Sequence, residues 1–309
     1  MFVAALALAV AAPPPEKLSV EQEAAIAADP AFKRQRLRLV DVPVPTGPGF
    51  SLFNGRDLDD WETWLGYPDP SVTYQKPPVK PIGANQGKGT IFKVVEADGA
   101  PAIFVDGTTW GSIVHKKVVS NYHLRLQYRW TGKRHAPRLE QPENNGLLYH
   151  SGGPHGAVWG TWMRSVEFEI MKGSTGMVVP VGDDVRVTTE VGKDPNIIYP
   201  RRRFMIGGKK IDVRQPAWNV ENAQDFEYPV GLWNTLDLYV VGDRSVHVVN
   251  DHPVMVLSGL SVLDSAGKKQ PLTEGRIQFQ SEGAETLFRN ITVEPISSLP
   301  KVEIYGAAK

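Results

Sequence analysis

From Ile91 onward the chain is written in short segments whose apolar residues recur at every second position, and no segment of helical period and useful length interrupts them. The clearest is Tyr122–Trp130, where Tyr122, Leu124, Leu126, Tyr128 and Trp130 share one face and His123, Arg125, Gln127 and Arg129 share the other. A strand that reads this way is buried on one side only. Further strands are predicted at Ile91–Val95, Ala102–Val105, Gly111–His115, Gly146–Ser151, Ser165–Met171, Thr235–Val241, Ser245–Asn250, Pro253–Leu257, Gly275–Ser281 and Leu287–Glu294. Asn250-Asp251 between two of them reads as a hairpin turn. Without crossover helices a parallel α/β sheet is excluded, and so many antiparallel strands imply an all-β, two-sheet antiparallel jelly-roll sandwich.

A chain of 309 residues is long enough to bury a full core. Its 34 basic and 34 acidic residues cancel, so no charge excess draws it to nucleic acid or an anionic membrane. The absence of cysteine removes disulfides, thiolate metal sites and thiol nucleophiles.

At the N-terminus, Met1–Ala12 is apolar throughout, too short for a membrane span but fitting the core of a signal peptide. Residues 13–49 read as a linker with one short helix, Val20–Ala28, opened by Ser19 and Gln22 at capping-box spacing. The main domain is expected over 50–298, with a tail at 299–309. The cluster Lys33, Arg34, Arg36, Arg38 reads as a solvated linker face. Gly66–Gly89 and Gly173–Ala223 read as rim loops.

In RSVEFEIMKG (Arg164–Gly173), Val166, Phe168 and Ile170 take one face and leave Glu167 and Glu169 together on the other. Residues i and i+2 of a strand lie roughly 6.5 to 7 Å apart at Cα. Two acids at that separation divide acid and base roles when their surroundings differ; the same pair also suits a solvated sheet face.

FSLFNGRDLDDW (Phe50–Trp61), SNYHLRLQYRW (Ser120–Trp130), APR (Ala136–Arg138), NNGLLYHSGGPHG (Asn144–Gly156), RSVEFEIMKG, GLWN (Gly231–Asn234) and GRIQFQSEGAETLFRNITVEP (Gly275–Pro295) occur in that order. Together they resemble the 3-keto-disaccharide hydrolase domain family, over roughly Phe50 to Ile296. The resemblance implies a concanavalin A-like jelly roll in an exported bacterial protein, periplasmic or extracellular, that acts on carbohydrate, some members cleaving glycosides already oxidised at C3. Two departures stand out. Gly176-Met177-Val178 replaces the Gly-Asp-aromatic that relatives often carry, and Glu-x-Glu replaces their Glu-x-Gln.

A C3 ketone acidifies the C2 proton, so a base can remove it and expel the C1 substituent, after which water adds back; such a site needs a base, an acid and a donor for the enolate. The candidates are Glu167 as base, with Glu169 or His150 as acid. His150 ends its strand with a parity opposite to Leu147 and Tyr149. His150, His155 and Glu167 are also the candidate ligands of a divalent metal. Trp159, Trp162 and Tyr149 are candidate sugar platforms, and Arg138, Arg164 and Asn145 candidate hydroxyl or oxyanion contacts. Trp61, Trp130 and Trp233 are assigned to the core, and Arg289 is expected to pair with an acid such as Glu282. A non-catalytic glycan-binding domain is the alternative. A retaining glucanase is less well matched, since Lys172 stands where its Glu-x-Asp-x-x-Glu pattern needs an acid. No strand followed by GxGxxG is present, so oxidation of the sugar falls to a separate dehydrogenase acting upstream.

Overall fold

The alternating strands assemble face to face. The computed structural model describes residues 19–75, 77–197, 201–213 and 219–306, so the expected leader Met1–Ala12 lies outside the described residues. Two antiparallel sheets, of 8 and 12 strands, form the jelly-roll sandwich. In the larger sheet Tyr122–Arg134 runs between Asn234–Val241 and Ala284–Pro295. In the smaller one the order is Val178–Val181, Arg164–Met171, Asn144–Gly152, Glu274–Ser281, Gly111–His115, Trp61–Leu65, Gly83–Ala84, with Val119–Ser120 also paired to Glu274–Ser281.

Leu124, Leu126 and Tyr128 from one sheet and Leu147, Val166, Phe168, Ile170 and Phe279 from the other are fully buried between them. Each such side chain contributes about 1.5–3 kcal/mol relative to exposure. Phe279 stacks on Phe288 at 4.4 Å and Phe168 on His247 at 4.2 Å, both across the sandwich. The hairpin closes at Asn250 and Asp251, with φ of 49° and 65°, as a type I′ turn requires.

Several expectations change. Much of Gly173–Ala223 is not loop: Val178–Val181 extends the smaller sheet, while Val185–Lys193, Arg202–Phe204 and Lys209–Val213 extend the larger. The alternation was already present, because Val185, Val187, Thr189 and Val191 are buried while the residues between them are partly exposed. The helix forms at Val20–Ala27 with both capping-box bonds in place. Beyond it, Leu37–Val40 pairs with Lys301–Ile304, so segments read as linker and tail form a strand pair against the sandwich. Two of the linker arginines, Arg36 and Arg38, lie over the ring of Tyr305. Trp61 and Trp130 are core residues at 1% exposure. Trp233 is not: its ring meets the guanidinium groups of Arg129 at 4.6 Å and Arg289 at 3.8 Å, and its indole N–H donates to Asp98. Arg289 therefore does not pair with Glu282, and its Nε donates to Gln127 instead.

Candidate active site

Because Val166, Phe168 and Ile170 fill the core, Glu167 and Glu169 face away from it, yet they are only 4% and 6% exposed. Register places Glu167 between Leu148 and Val179, and Glu169 opposite Gly146. Gly146 is the seat of the site. A side chain there would run into the Glu167 carboxylate and come within 2.6 Å of Gln280 Oε1.

The cover comes from elsewhere in the chain. Tyr74, on a short 3₁₀ turn at Pro70–Gln75, donates its hydroxyl to Glu282 Oε1 at 3.0 Å. Its ring meets Trp159 at 5.1 Å, Trp110 at 5.9 Å and Trp162 at 6.2 Å, closing an aromatic box. Arg138 donates to Glu282 and lies 5.3 Å from the centre of the Trp110 ring. Gly283, with φ of 94°, leaves room for the arginine stem, which a Cβ would meet at 3.0 Å. Met177 packs with Trp110 and Trp162 in the same buried cluster, and its sulfur accepts from Asn219 Nδ2.

Burial holds both glutamates in their neutral forms. It pushes the Glu167 carboxyl well above the usual carboxylate range, with the Glu169 charge adding to it and Arg138 opposing. Glu169 is pushed up to about 8, first by burial and then by the Glu282 charge, against the pull of Arg138 and a hydrogen bond from Asn144. Burial, then Glu282, raises the Tyr74 hydroxyl as well. Burial works against the charge of the Arg138 guanidinium, but Glu282, Tyr74 and Glu169 together outweigh it and hold the group charged. Glu167 Oε1, Gln280 Oε1, Ser112 Oγ, Arg138 Nε and the indole N–H groups of Trp110 and Trp162 are buried without a partner among the described residues. Buried polar groups are normally paired, so a cluster of unpaired ones needs a reason.

The sequence candidates separate. Glu167, Glu169, Arg138, Trp159 and Trp162 come together here. His150 does not, because the strand bulges at it: its φ is 51°, and register shifts on both sides. The bulge turns its ring against Tyr122 and Tyr149, with Nδ1 at 3.1 Å from the Leu272 carbonyl, and burial lowers it to about 4. Tyr149 points through the core to Ser245 and His247, so it is no sugar platform. Asn145 also faces away and donates to Thr286; its neighbour Asn144 has the right parity. Arg164 pairs with Asp184 at the end of the strand.

His155 pairs with Glu62 and stacks on Trp64. Glu62 is four strands across the sheet from Glu167, roughly 19 Å. The set His150, His155 and Glu167 is thus not assembled, and no group of three metal-ligating side chains occurs among the described residues. Tyr74, Trp110, Gln280 and Glu282 were not singled out as site residues from the sequence. Only the alternation in GRIQFQS signalled any of them, by putting Gln278 and Gln280 on one face.

Residues 50–294 match the family model of the 3-keto-alpha-glucoside-1,2-lyase-like domain. The chain belongs to this family. Membership in the 3-keto-alpha-glucoside-1,2-lyase-like family gives the protein a carbohydrate-related function. Among solved structures, a provisionally assigned glycosyl hydrolase from Parabacteroides distasonis is 14% identical at a TM-score of 0.45, covering 91% of this chain and 98% of that one. A Bacillus subtilis protein of unknown function with a galectin-like fold is 10% identical at 0.44, covering 86% and 100%. Bacillus licheniformis beta-glucanase is 9% identical at 0.35, covering 81% and 99%. None of these likenesses bears on individual site residues. No curated protein matches the sequence. Among the described residues no helix is long and apolar enough to cross a membrane.

Proposed function

We propose that the protein cleaves 3-keto-glycosides by elimination followed by hydration, with Glu169 as base and Glu167 as acid. The observation that carries this reading is the pair of buried, raised carboxyls on one strand face, ringed by unpaired donors. Glu169, once ionised, takes the C2 proton. The C–H electron pair forms the C2=C3 double bond of an enolate, whose oxygen accepts from Arg138 Nε or an indole N–H. The enolate then expels the C1 oxygen, which leaves as an alcohol with a proton from Glu167. Water adding across the resulting C1–C2 double bond gives the free 3-keto sugar.

The order of roles reverses the one read from sequence, because a hydrogen bond from Asn144 favours the Glu169 carboxylate while Glu167 Oε1 is buried without a partner among the described residues. Nothing in this sequence of steps changes the oxidation level overall, so the ketone must be installed beforehand by a separate dehydrogenase. We place the reaction outside the cytoplasm, following the apolar leader. No step is routed through a metal, since the residues expected to hold one lie apart.

The test is turnover of a 3-keto-glucoside and of its unoxidised parent by wild type, Glu167→Gln and Glu169→Gln. Turnover of the keto compound alone, reduced about 10²–10⁴-fold in each variant, is the expected outcome. Turnover of the parent would move the protein to a glucanase reading. Binding of sugar without turnover of either compound would make it a glycan-binding domain.

A further inference from the structure

The arginine cluster that reads from sequence as a solvated linker face is built into the wall of a cleft. Leu37–Val40 pairs with Lys301–Ile304, and the ladder runs one pair further, where the Tyr305 N–H donates to the Arg36 carbonyl at 2.9 Å. Just before it, both ends of the Gln35 amide are clamped. Nε2 donates to the Ile206 carbonyl at 2.8 Å, and Oε1 accepts from the Ile206 N–H at 2.9 Å. With Gln35 held on that backbone, its neighbours Arg34 and Arg36 are both exposed.

Both arginines line a cleft of about 570 Å³ together with Gln224, Phe226, His252 and Tyr305, within the ~300–1,000 Å³ range of small-molecule sites. Leu37 and Ile304 give the wall its aliphatic part. Phe226 and His252 stack at 3.9 Å, nearly parallel, and His252 is the exposed member of the pair. Arg34 spends only its Nε, on Gln224 Oε1 at 2.9 Å, and the Arg36 guanidinium lies 4.9 Å from the centre of the Tyr305 ring.

Among the described residues no carboxylate lines this cleft. The acids beside it in sequence are turned to other partners. Glu303 faces Arg38 at 3.5 Å, Asp251 lies 3.9 Å from Arg125, and Asp225 accepts from the N–H of Glu227 at 2.9 Å. Two guanidinium groups held side by side without a counter-charge favour an anion. Their planar forks match a carboxylate, which each can grip through two parallel N–H bonds. The aromatic pair beside them offers a face to the C–H side of a sugar ring. None of these residues belongs to the chamber around Glu167 and Glu169.

We infer that this cleft is a second, non-catalytic site that takes a hexuronate unit of an acidic glycan. Its carboxylate lies between Arg34 and Arg36, and its ring packs over His252.

Calorimetric titration compares trigalacturonate with its methyl ester, which keeps the sugar and masks the charge, and with inorganic sulfate. Trigalacturonate is expected to bind about tenfold tighter than either, and less tightly as salt rises. Arg34→Gln and Arg36→Gln should each weaken it about fivefold. Both side chains are exposed, so the variants should unfold at the wild-type temperature. No binding of trigalacturonate, equal binding of the ester, or binding untouched when both arginines are replaced overturns the inference. Sulfate bound as tightly as trigalacturonate marks a bare anion site and overturns the sugar assignment. The titration needs no turnover, so its outcome stands apart from that of the catalytic reading.

Discussion

Replacing Glu169 by glutamine should stabilise the protein at neutral and alkaline pH and leave its stability in mild acid nearly unchanged. The carboxyl rises from an ordinary 4.5 to about 8 on folding, chiefly through burial. An acid whose folded pKa lies above its unfolded one binds more protons when folded. Its favourable contribution is therefore complete below 4.5 and is lost as pH rises through 8. Each pH unit between those limits costs about 1.4 kcal/mol, so about 3 kcal/mol has gone by pH 7. Glutamine is neutral at every pH and nearly isosteric, so it escapes that cost. Urea unfolding of wild type and Glu169→Gln at pH 4.5, 7 and 8.5 measures the difference. The variant should match wild type at pH 4.5 and lead it by about 3 kcal/mol at pH 7, on the order of 10 °C in Tm. A gain independent of pH, or a loss at pH 7, would falsify the view that burial of this carboxyl sets its protonation.

Further consequences can be measured alongside. Turnover of a 3-keto-glucoside should climb as pH rises toward 8, because Glu169 must lose its proton to act as base; a profile already flat at pH 6 would assign the base elsewhere. Gly146→Ala should cut turnover at least tenfold through displacement of Glu167 and Gln280, with the circular dichroism spectrum unchanged. Arg138→Met strands the buried Glu282 carboxylate and should cost about 3–5 kcal/mol in urea unfolding, most of it recovered by adding Glu282→Gln. His247, lowered to about 3 by burial, contributes stability that is complete above pH 6.5 and falls away as pH drops toward 3, so His247→Gln should flatten that acid limb.

The sandwich was legible because a two-residue period survives in any sequence that buries one sheet face, and Tyr122–Trp130 and Ser165–Met171 keep it cleanly. Where the period was overlooked, as in Val185–Lys193, partial exposure of the polar face and flanking glycines made strand look like loop. The two glutamates could be placed on one face by counting. Their partners could not. Arg138 and Glu282 are 144 residues apart, Tyr74 reaches Glu282 over 208, and nothing in either local pattern announces the meeting. His150 shows the opposite failure: parity set it opposite Leu147 and Tyr149 and a bulge then turned it, whereas Asn145 shares the parity of Leu147 and so meets Thr286.

Behind the glutamate strand, Tyr149 reaches across the core to Ser245 and His247, and the other nitrogen of His247 meets the carbonyl of Gly176, whose own N–H donates to Glu169. The backbone carbonyl of Glu169 is thereby tied to the opposite sheet and not to the rim. Segments 66–89 and 152–163 supply Tyr74, Trp159 and Trp162 to the cover, so a change in them would alter the burial of the carboxyl pair while its backbone stays in place. Under the proposed reading, the strand frame holds the carboxyls in register, while the rim sets together how far they are buried and which sugar reaches them.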